Sequence, residues 1–182
     1  MANLSTSDSL DIELVIRSIE PGDNISGFVL AGKTNRPLKQ FLRKEASHLE
    51  TNSLARTYVL SEERSSDIMA FVTLIVGDVQ VFKAPDAVHD GDFRFRYPSY
   101  PAIKVARLAV SDRHQGKRLG KVMIDFALGV AKEYICPRVG CRFATVDAKK
   151  QSVAFYEKCG FRLLDTPENL ALDEPFMFMD LR

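Results

Sequence analysis

The stretch that most constrains the fold is residues 103–123, where the apolar run "IKVARLAV" stops at "SDRHQGK" and continues as "RLGKVM". A buried strand that feeds directly into a helix needs a sheet for the strand and a sheet face for the helix, which points to an α/β architecture. The turn between them holds Gly116 and Gly120 together with Lys117, Arg118 and Lys121. Helix N-termini expose unpaired N–H groups and the positive end of the dipole, so each cation there is disfavoured by roughly 0.3–1 kcal/mol. Three of them are accounted for if an anion occupies the turn. A solvated basic turn is the plainer account of the same residues.

The flanking sequence supplies the rest of a mixed sheet. After a polar tail, residues 1–10, "IELVIRSI" alternates as a first strand and "PGDNISG" breaks it. Residues 34–50 read as one helix with Leu38, Phe41, Leu42, Ala46 and Leu49 on its apolar face. Thr34 or Asn35 caps it, Pro37 sits in its first turn, and Arg36, Lys39, Arg43 and Lys44 form its outer face. "LARTYVLSE" and "DIMAFVTLIVGDVQV" make a hairpin around Glu62 to Ser66. Residues 83–101, with Pro85, Pro98, Pro101 and the cluster "FRFRY", read as an irregular insertion or substrate-side loop. A helix from about Lys117 to Tyr134, the strand "CRFATVDA" and the short helix "KKQSVAFYEKC" follow, with Gly160 at a left-handed C-cap. "FRLLD" and "FMFMDL" close the sheet, giving a single domain over residues 1–182 with a flexible tail at 1–10.

Composition narrows the function classes. Lys and Arg number 25 against 24 Asp and Glu, so the overall charge favours neither nucleic acid nor an acidic partner. Cys136, Cys141 and Cys159 lack Cys-x-x-Cys spacing, and His48, His89 and His114 are remote from them in sequence. Neither a disulfide framework nor a metal site is expected. No basic segment followed by an apolar one opens the chain, and "IMAFVTLIV" is too short to span a bilayer, so the expected location is the cytoplasm, with no membrane partner.

Two phosphate-binding loops fail at once. A nucleotide-triphosphate loop requires G-x-x-x-x-G-K followed by Ser or Thr, and Gly116, Gly120, Lys121 and Val122 fall one residue short without a hydroxyl. A dinucleotide fingerprint requires three glycines at a spacing absent here. From "ARLAVSDRHQGKRLGKVMIDFAL" through "VDAKKQSVAFYEKCGF" the chain instead resembles the GNAT superfamily of N-acetyltransferases.

That resemblance implies a mixed sheet of six to seven strands flanked by about four helices, with a V-shaped splay between two parallel strands. It implies acetyl-CoA as co-substrate, with the backbone of Leu108, Ala109 and Val110 along the pantetheine. Gln115, Gly116, Lys117, Arg118, Leu119, Gly120 and Lys121 would surround the pyrophosphate, with Ser152 facing the cofactor. Tyr156 would protonate the departing thiolate. A phenol with a reference pKa of about 10 stays protonated at pH 7 and can still serve a thiolate near 8.5. The alternative role for Tyr156 is that of a half-buried helix aromatic.

Two positions depart from the family pattern. Arg118 stands where a glycine is usual, either turned away with its amide still available or pairing with phosphate. Lys149 stands where Asn is frequent.

The acceptor is read less directly. An α-amine is about a tenth neutral at pH 7 and a lysine side chain roughly one part in a thousand, so only the latter needs a strong base. Glu62, Glu63, Asp147 and Asp165 flank strands as candidates for that base. The chain also resembles the GNAT branch that includes toxins acetylating the α-amine of aminoacyl-tRNA, which makes Arg36, Lys39, Arg43 and Lys44 a candidate RNA stripe. The same residues fit an ordinary charged helix face, and Arg94 and Arg96 fit an anionic small molecule. A primary amine on a small molecule or peptide is the favoured acceptor, with tRNA the alternative. A non-catalytic acyl-CoA-binding module is the reading from another class, and a homodimer is compatible with either.

Overall fold

The computed structural model describes residues 13–80 and 96–182. Seven strands form one sheet: β1 (Leu14–Ser18), β2 (Arg56–Glu62), β3 (Ala70–Gln80), β4 (Ser99–Val110), β5 (Phe143–Asp147), β6 (Arg162–Leu163) and β7 (Phe176–Asp180). Their order is β1-β2-β3-β4-β5-β7-β6. All neighbours are antiparallel except β4 and β5. Five helices accompany it: α1 (Arg36–Lys44), α2 (Ala46–Thr51), α3 (Leu119–Gly129), α4 (Val153–Lys158) and α5 (Pro167–Ala171).

Each sheet face carries its own core. Val72, Leu74, Ile103, Val105, Ala144 and Val146 pack against α3 through Met123, Ile124 and Ala127, and Tyr156 of α4 joins the same cluster. Full burial of side chains such as Met123 and Ile124 contributes about 1.5–3 kcal/mol each. On the opposite face Val59, Phe71 and Ala109 meet Phe41 and Leu42 of α1. Phe71 locks that contact with an edge contact to Phe28 and a stack on Phe41, at centroid distances of 5.5 and 6.3 Å. A third cluster, Val79, Tyr100, Phe143 and Phe178, fills the far end of the β3–β4 hairpin.

The strands diverge where the site will lie. Parallel pairing of β4 with β5 covers only Ala102 with Phe143, Ile103 with Ala144 and Lys104 with Thr145. Beyond Lys104, β4 continues to Val110 bonded to β3 alone, which is the expected V-shaped splay. The register to β3 slips at the same level, Thr73 facing Arg107 and Leu74 facing Val105, so Ala106 is an inserted β-bulge residue. Bulges bend a strand and raise its local twist, and this one turns β4 away from β5.

Several boundaries differ from the sequence reading. The single helix at 34–50 is two, broken at Glu45 (φ −116°, ψ −37°), which keeps Ala46 buried beside Phe41 and Leu42. The helix expected from Lys117 to Tyr134 starts at Leu119, and it ends as a wider π-helical turn, Val130–Ile135, that leaves Ala131 fully buried. Strand β4 starts at Ser99, inside the stretch read as irregular. Pro101 is tolerated there because pairing to β5 begins only at Ala102. Helix α5 was unforeseen, although Thr166 caps it by accepting from the Asn169 amide and Pro167 opens it. The tail at 1–10, Pro85 and Arg94 lie outside the described residues.

Candidate active site

The splay opens a cleft of about 840 Å³. Lys104 through Val110 form one wall, and Val146, Asp147, Lys149, Gln151, Ser152, Phe155 and Tyr156 form the other. Because β5 has left, the β4 edge from Val105 to Val110 presents backbone N–H and C=O groups that no strand takes up. Such an edge accepts an extended amide-bearing ligand as a further strand.

At one end the cleft meets the loop before α3, from which Gln115 and Gly120 line it. The amides of Gly116 to Gly120 have no acceptor among the described residues, whereas the Lys121 and Val122 amides both donate to the Arg118 carbonyl. The loop turns through two left-handed residues, Gly116 (φ 80°) and Arg118 (φ 59°). Arg118 therefore sits in a conformation that an L side chain adopts only at a cost of about 1–2 kcal/mol. The glycine preferred by the family at this position has a backbone reason. At Gly120 an added Cβ would lie 3.3 Å from the Phe155 ring, so this glycine brings the start of α3 onto α4. Lys121 is committed elsewhere: its ammonium bonds both Asp125 carboxylate oxygens at 2.7 Å, which raises its pKa. Lys117, Arg118 and Leu119 lie beside the cleft and not among the residues lining it.

Helix α4 delivers the aromatic pair. Tyr156 is the more buried member, 7% exposed, held edge-on by Phe155 and Phe161 at 5.0 and 5.6 Å. Both Phe155 and Tyr156 line the cleft, and Tyr156 reaches it from the core. Its hydroxyl has no hydrogen-bond partner among the described residues. Burial, and secondarily Cys159, push its pKa well above the ordinary phenol range. Ser152 lines the cleft at the N-cap of α4. Lys149 reaches the segment before α1, donating to the carbonyl of the cleft-lining Thr34 at 2.7 Å.

Of the four carboxylates considered as bases, only Asp147 lines the cleft, and it is ion-paired with Lys104. Glu62 ends β2 and pairs with Leu14 of β1, Glu63 follows it on that side, and Asp165 follows β6 at the opposite sheet edge. Glu174, which no motif or spacing marks out, also lines the cleft and is exposed. So does Arg107, whose guanidinium lies 5.4 Å from the Phe41 ring centroid and has no acidic partner among the described residues. Arg36, Lys39, Gln40, Arg43 and Lys44 line a second, shallow concavity of about 580 Å³ on α1, and none of these cations forms an ion pair with a described residue. Arg96 and Tyr97 are exposed and away from the cleft.

Solved structures share this fold. AtaT complexed with acetyl-methionyl-tRNAfMet superposes with a TM-score of 0.78 at 19% identity, covering 92% of this chain and 95% of that one. AtaTR bound with AcCoA gives 0.71 at 19%, covering 92% and 93%. A tyrosine-to-phenylalanine variant of the AtaT toxin bound to the C-terminus of the antitoxin AtaR gives 0.72 at 21%, covering 93% and 92%. The model of the Acetyltransferase (GNAT) family matches residues 33–161, which include the α1 segment, the splayed strands, the α3 loop and α4. The chain belongs to the GNAT family of acetyltransferases.

Proposed function

We propose that the cleft binds acetyl-CoA and that the enzyme moves its acetyl group to a primary amine by direct attack, with Tyr156 as the proton donor. The observation that carries this reading is the unpartnered Tyr156 hydroxyl in the same cleft as the unpaired β4 edge. The residues fit the ligand: free amides at Gly116 to Gly120 suit a pyrophosphate, and the β4 edge at Leu108 to Val110 suits the two amides of pantetheine. Acetyl-CoA supplies the activated thioester. Tyr156 holds its proton on Oη through neutral pH and releases it to the leaving sulfur. Burial raises the basicity of a thiolate in this pocket as it does that of the phenolate, so donor and acceptor remain matched.

The acceptor best supported is an α-amine. Asp147 is held in an ion pair with Lys104, and Arg107 and Lys149 place positive charge beside the amine and favour its neutral form. Such a site suits the α-amine of a small molecule or peptide better than a polyamine or a lysine side chain. A second reading, the α-amine of an aminoacyl-tRNA, is favoured by the unpaired cations of α1 beside the cleft residues Pro37 and Leu38, and by the likeness to AtaT. That reading brings with it an antitoxin partner, as AtaT has in AtaR. Transfer of labelled acetate, assayed on amino acids, peptides, polyamines and total charged tRNA, decides between them. Label on RNA that mild alkali removes selects the second reading; label on no amine, with acetyl-CoA bound, rejects both.

Two further results are expected. Arg118→Gly removes the left-handed strain, partly offset by the extra chain entropy of glycine, so the free protein should melt unchanged or up to about 4 °C higher. Acetyl-CoA should nevertheless bind it more weakly in isothermal titration, with a shallower salt dependence, because a guanidinium–phosphate contact is lost. Equal or tighter binding would show that the arginine merely replaced a glycine. In the wild type, the Tyr156 shift has a definite sign: the protonated phenol is the active form and its pKa is raised. Rate against pH should show no falling limb from phenol ionisation at or below about pH 10. A limb at an ordinary phenol pKa that disappears in Tyr156→Phe would contradict the burial argument.

A further inference from the structure

The segment at residues 29–35 borders the cleft, with Leu30, Thr34 and Asn35 lining it, and leads directly into α1. It is pinned from the phosphate-loop side by Ser111 and Asp112. Val29 donates to the Ser111 hydroxyl at 3.2 Å and its carbonyl accepts from the Asp112 amide at 2.8 Å. The Asp112 carboxylate then divides its two oxygens: Oδ2 accepts from the Ala31 amide at 2.6 Å, and Oδ1 accepts from the Gln115 side-chain amide at 2.7 Å. One carboxylate is thereby shared between Gln115, at the start of the loop before α3, and the arm at 29–35. The loop turns at Gly116 (φ 80°) and the arm at Gly32 (φ 85°), two left-handed glycines around which a Cβ would meet nothing within 4 Å.

We propose that Asp112 is a positioning residue that couples the two substrate sites, so that a phosphate held by the loop orders the arm against which the acceptor is placed. The proposal rests on the reading of Gln115 to Gly120 as the co-substrate loop. Its physical basis is that a carboxylate is rigid and planar. A change in Gln115 that follows ligand binding moves Oδ1, and Oδ2 must move with it, taking the Ala31 amide along. Charge-assisted bonds of this kind are strong enough to transmit such a change.

Hydrogen exchange of the full chain with and without saturating coenzyme A tests this. In the wild type, coenzyme A should slow exchange both in the loop and in the arm, by about tenfold or more at Ala31. Asp112→Asn keeps the shape but has one acceptor oxygen and one donor nitrogen, so it cannot serve both N–H groups. In this variant, and in Asp112→Ala, the loop should still gain protection while the arm exchanges at the same rate with and without coenzyme A. A purely structural role would instead speed arm exchange equally in both conditions, leaving the ligand-dependent difference intact, and would overturn the proposal. Loop protection without arm protection in the wild type would also overturn it. Absence of loop protection in the wild type would remove the co-substrate reading itself and the coupling with it. Melting curves establish that each variant is folded, and the Asn variant carries the test if the Ala variant is not.

Discussion

Tyr156→Phe should lower kcat by about 10² to 10⁴ and leave the Kd for acetyl-CoA nearly unchanged. The ring makes the packing contacts, edge-on to Phe155 and Phe161, and phenylalanine reproduces these. What it cannot reproduce is the proton on Oη, which in the proposed mechanism is needed only as the carbon–sulfur bond breaks, so the loss would fall on the transition state and not on ground-state binding. Removing the hydroxyl leaves no described donor or acceptor stranded, because it has no hydrogen-bond partner there, so the variant should fold with undiminished stability. Stopped assays of free thiol release, beside calorimetric titration of acetyl-CoA, separate the two effects. Full activity at neutral pH would mean that water or another group supplies the proton and that Tyr156 is only packing.

The second large effect is on stability. Gly160→Ala is expected to cost about 2 kcal/mol or more and to lower Tm by roughly 4–8 °C in a chain of this size. Gly160 ends α4 at φ 94°, with its amide bonded to the Glu157 carbonyl at 2.9 Å and the Phe161 amide to the Tyr156 carbonyl at 3.0 Å. These are the two bonds of a Schellman cap, which needs a left-handed residue at this position. An added Cβ would also come 2.9 Å from the Met179 methyl, the far end of a flexible side chain that can shift, so the left-handed strain carries the cost. Since the Tyr156 carbonyl is part of the cap, kcat should fall along with Tm. A thermal melt that shifts by less than about 2 °C would show that α4 accommodates the change by moving.

Much of this was legible in the residues because it depends on local chemistry. The strand, turn and helix of 103–123, the C-cap at Gly160 and the Phe-Tyr pair are each set by neighbours within a few positions. What escaped depends on tertiary contact. The break at Glu45 is imposed by the sheet on which Phe41, Leu42 and Ala46 must all rest, and helical periodicity carries no sign of it. The left-handed backbone at Arg118 is hidden by its own side chain, since an arginine gives no hint of positive φ. Among four acidic residues near strand ends, nothing in the sequence could rank Asp147 first, because its place in the cleft follows from β5 lying next to β4, and its partner Lys104 is 43 residues away. Glu174 and Arg107 were missed for the same reason.

The bulge at Ala106 makes β4 two half-strands of opposite phase. Before it, odd-numbered Ile103 and Val105 face the α3 side; after it, even-numbered Leu108 and Val110 do, while Arg107 and Ala109 turn to the α1 side. In an unbroken alternation the guanidinium of Arg107 would point among Met123 and Ile124, and no register of the later residues could leave it outside while Val105 stays in. The same extra residue that bends the strand away from β5 is therefore what permits a single β4 to keep hydrocarbon on the α3 face of the sheet along its whole length while placing the Arg107 charge on the α1 face.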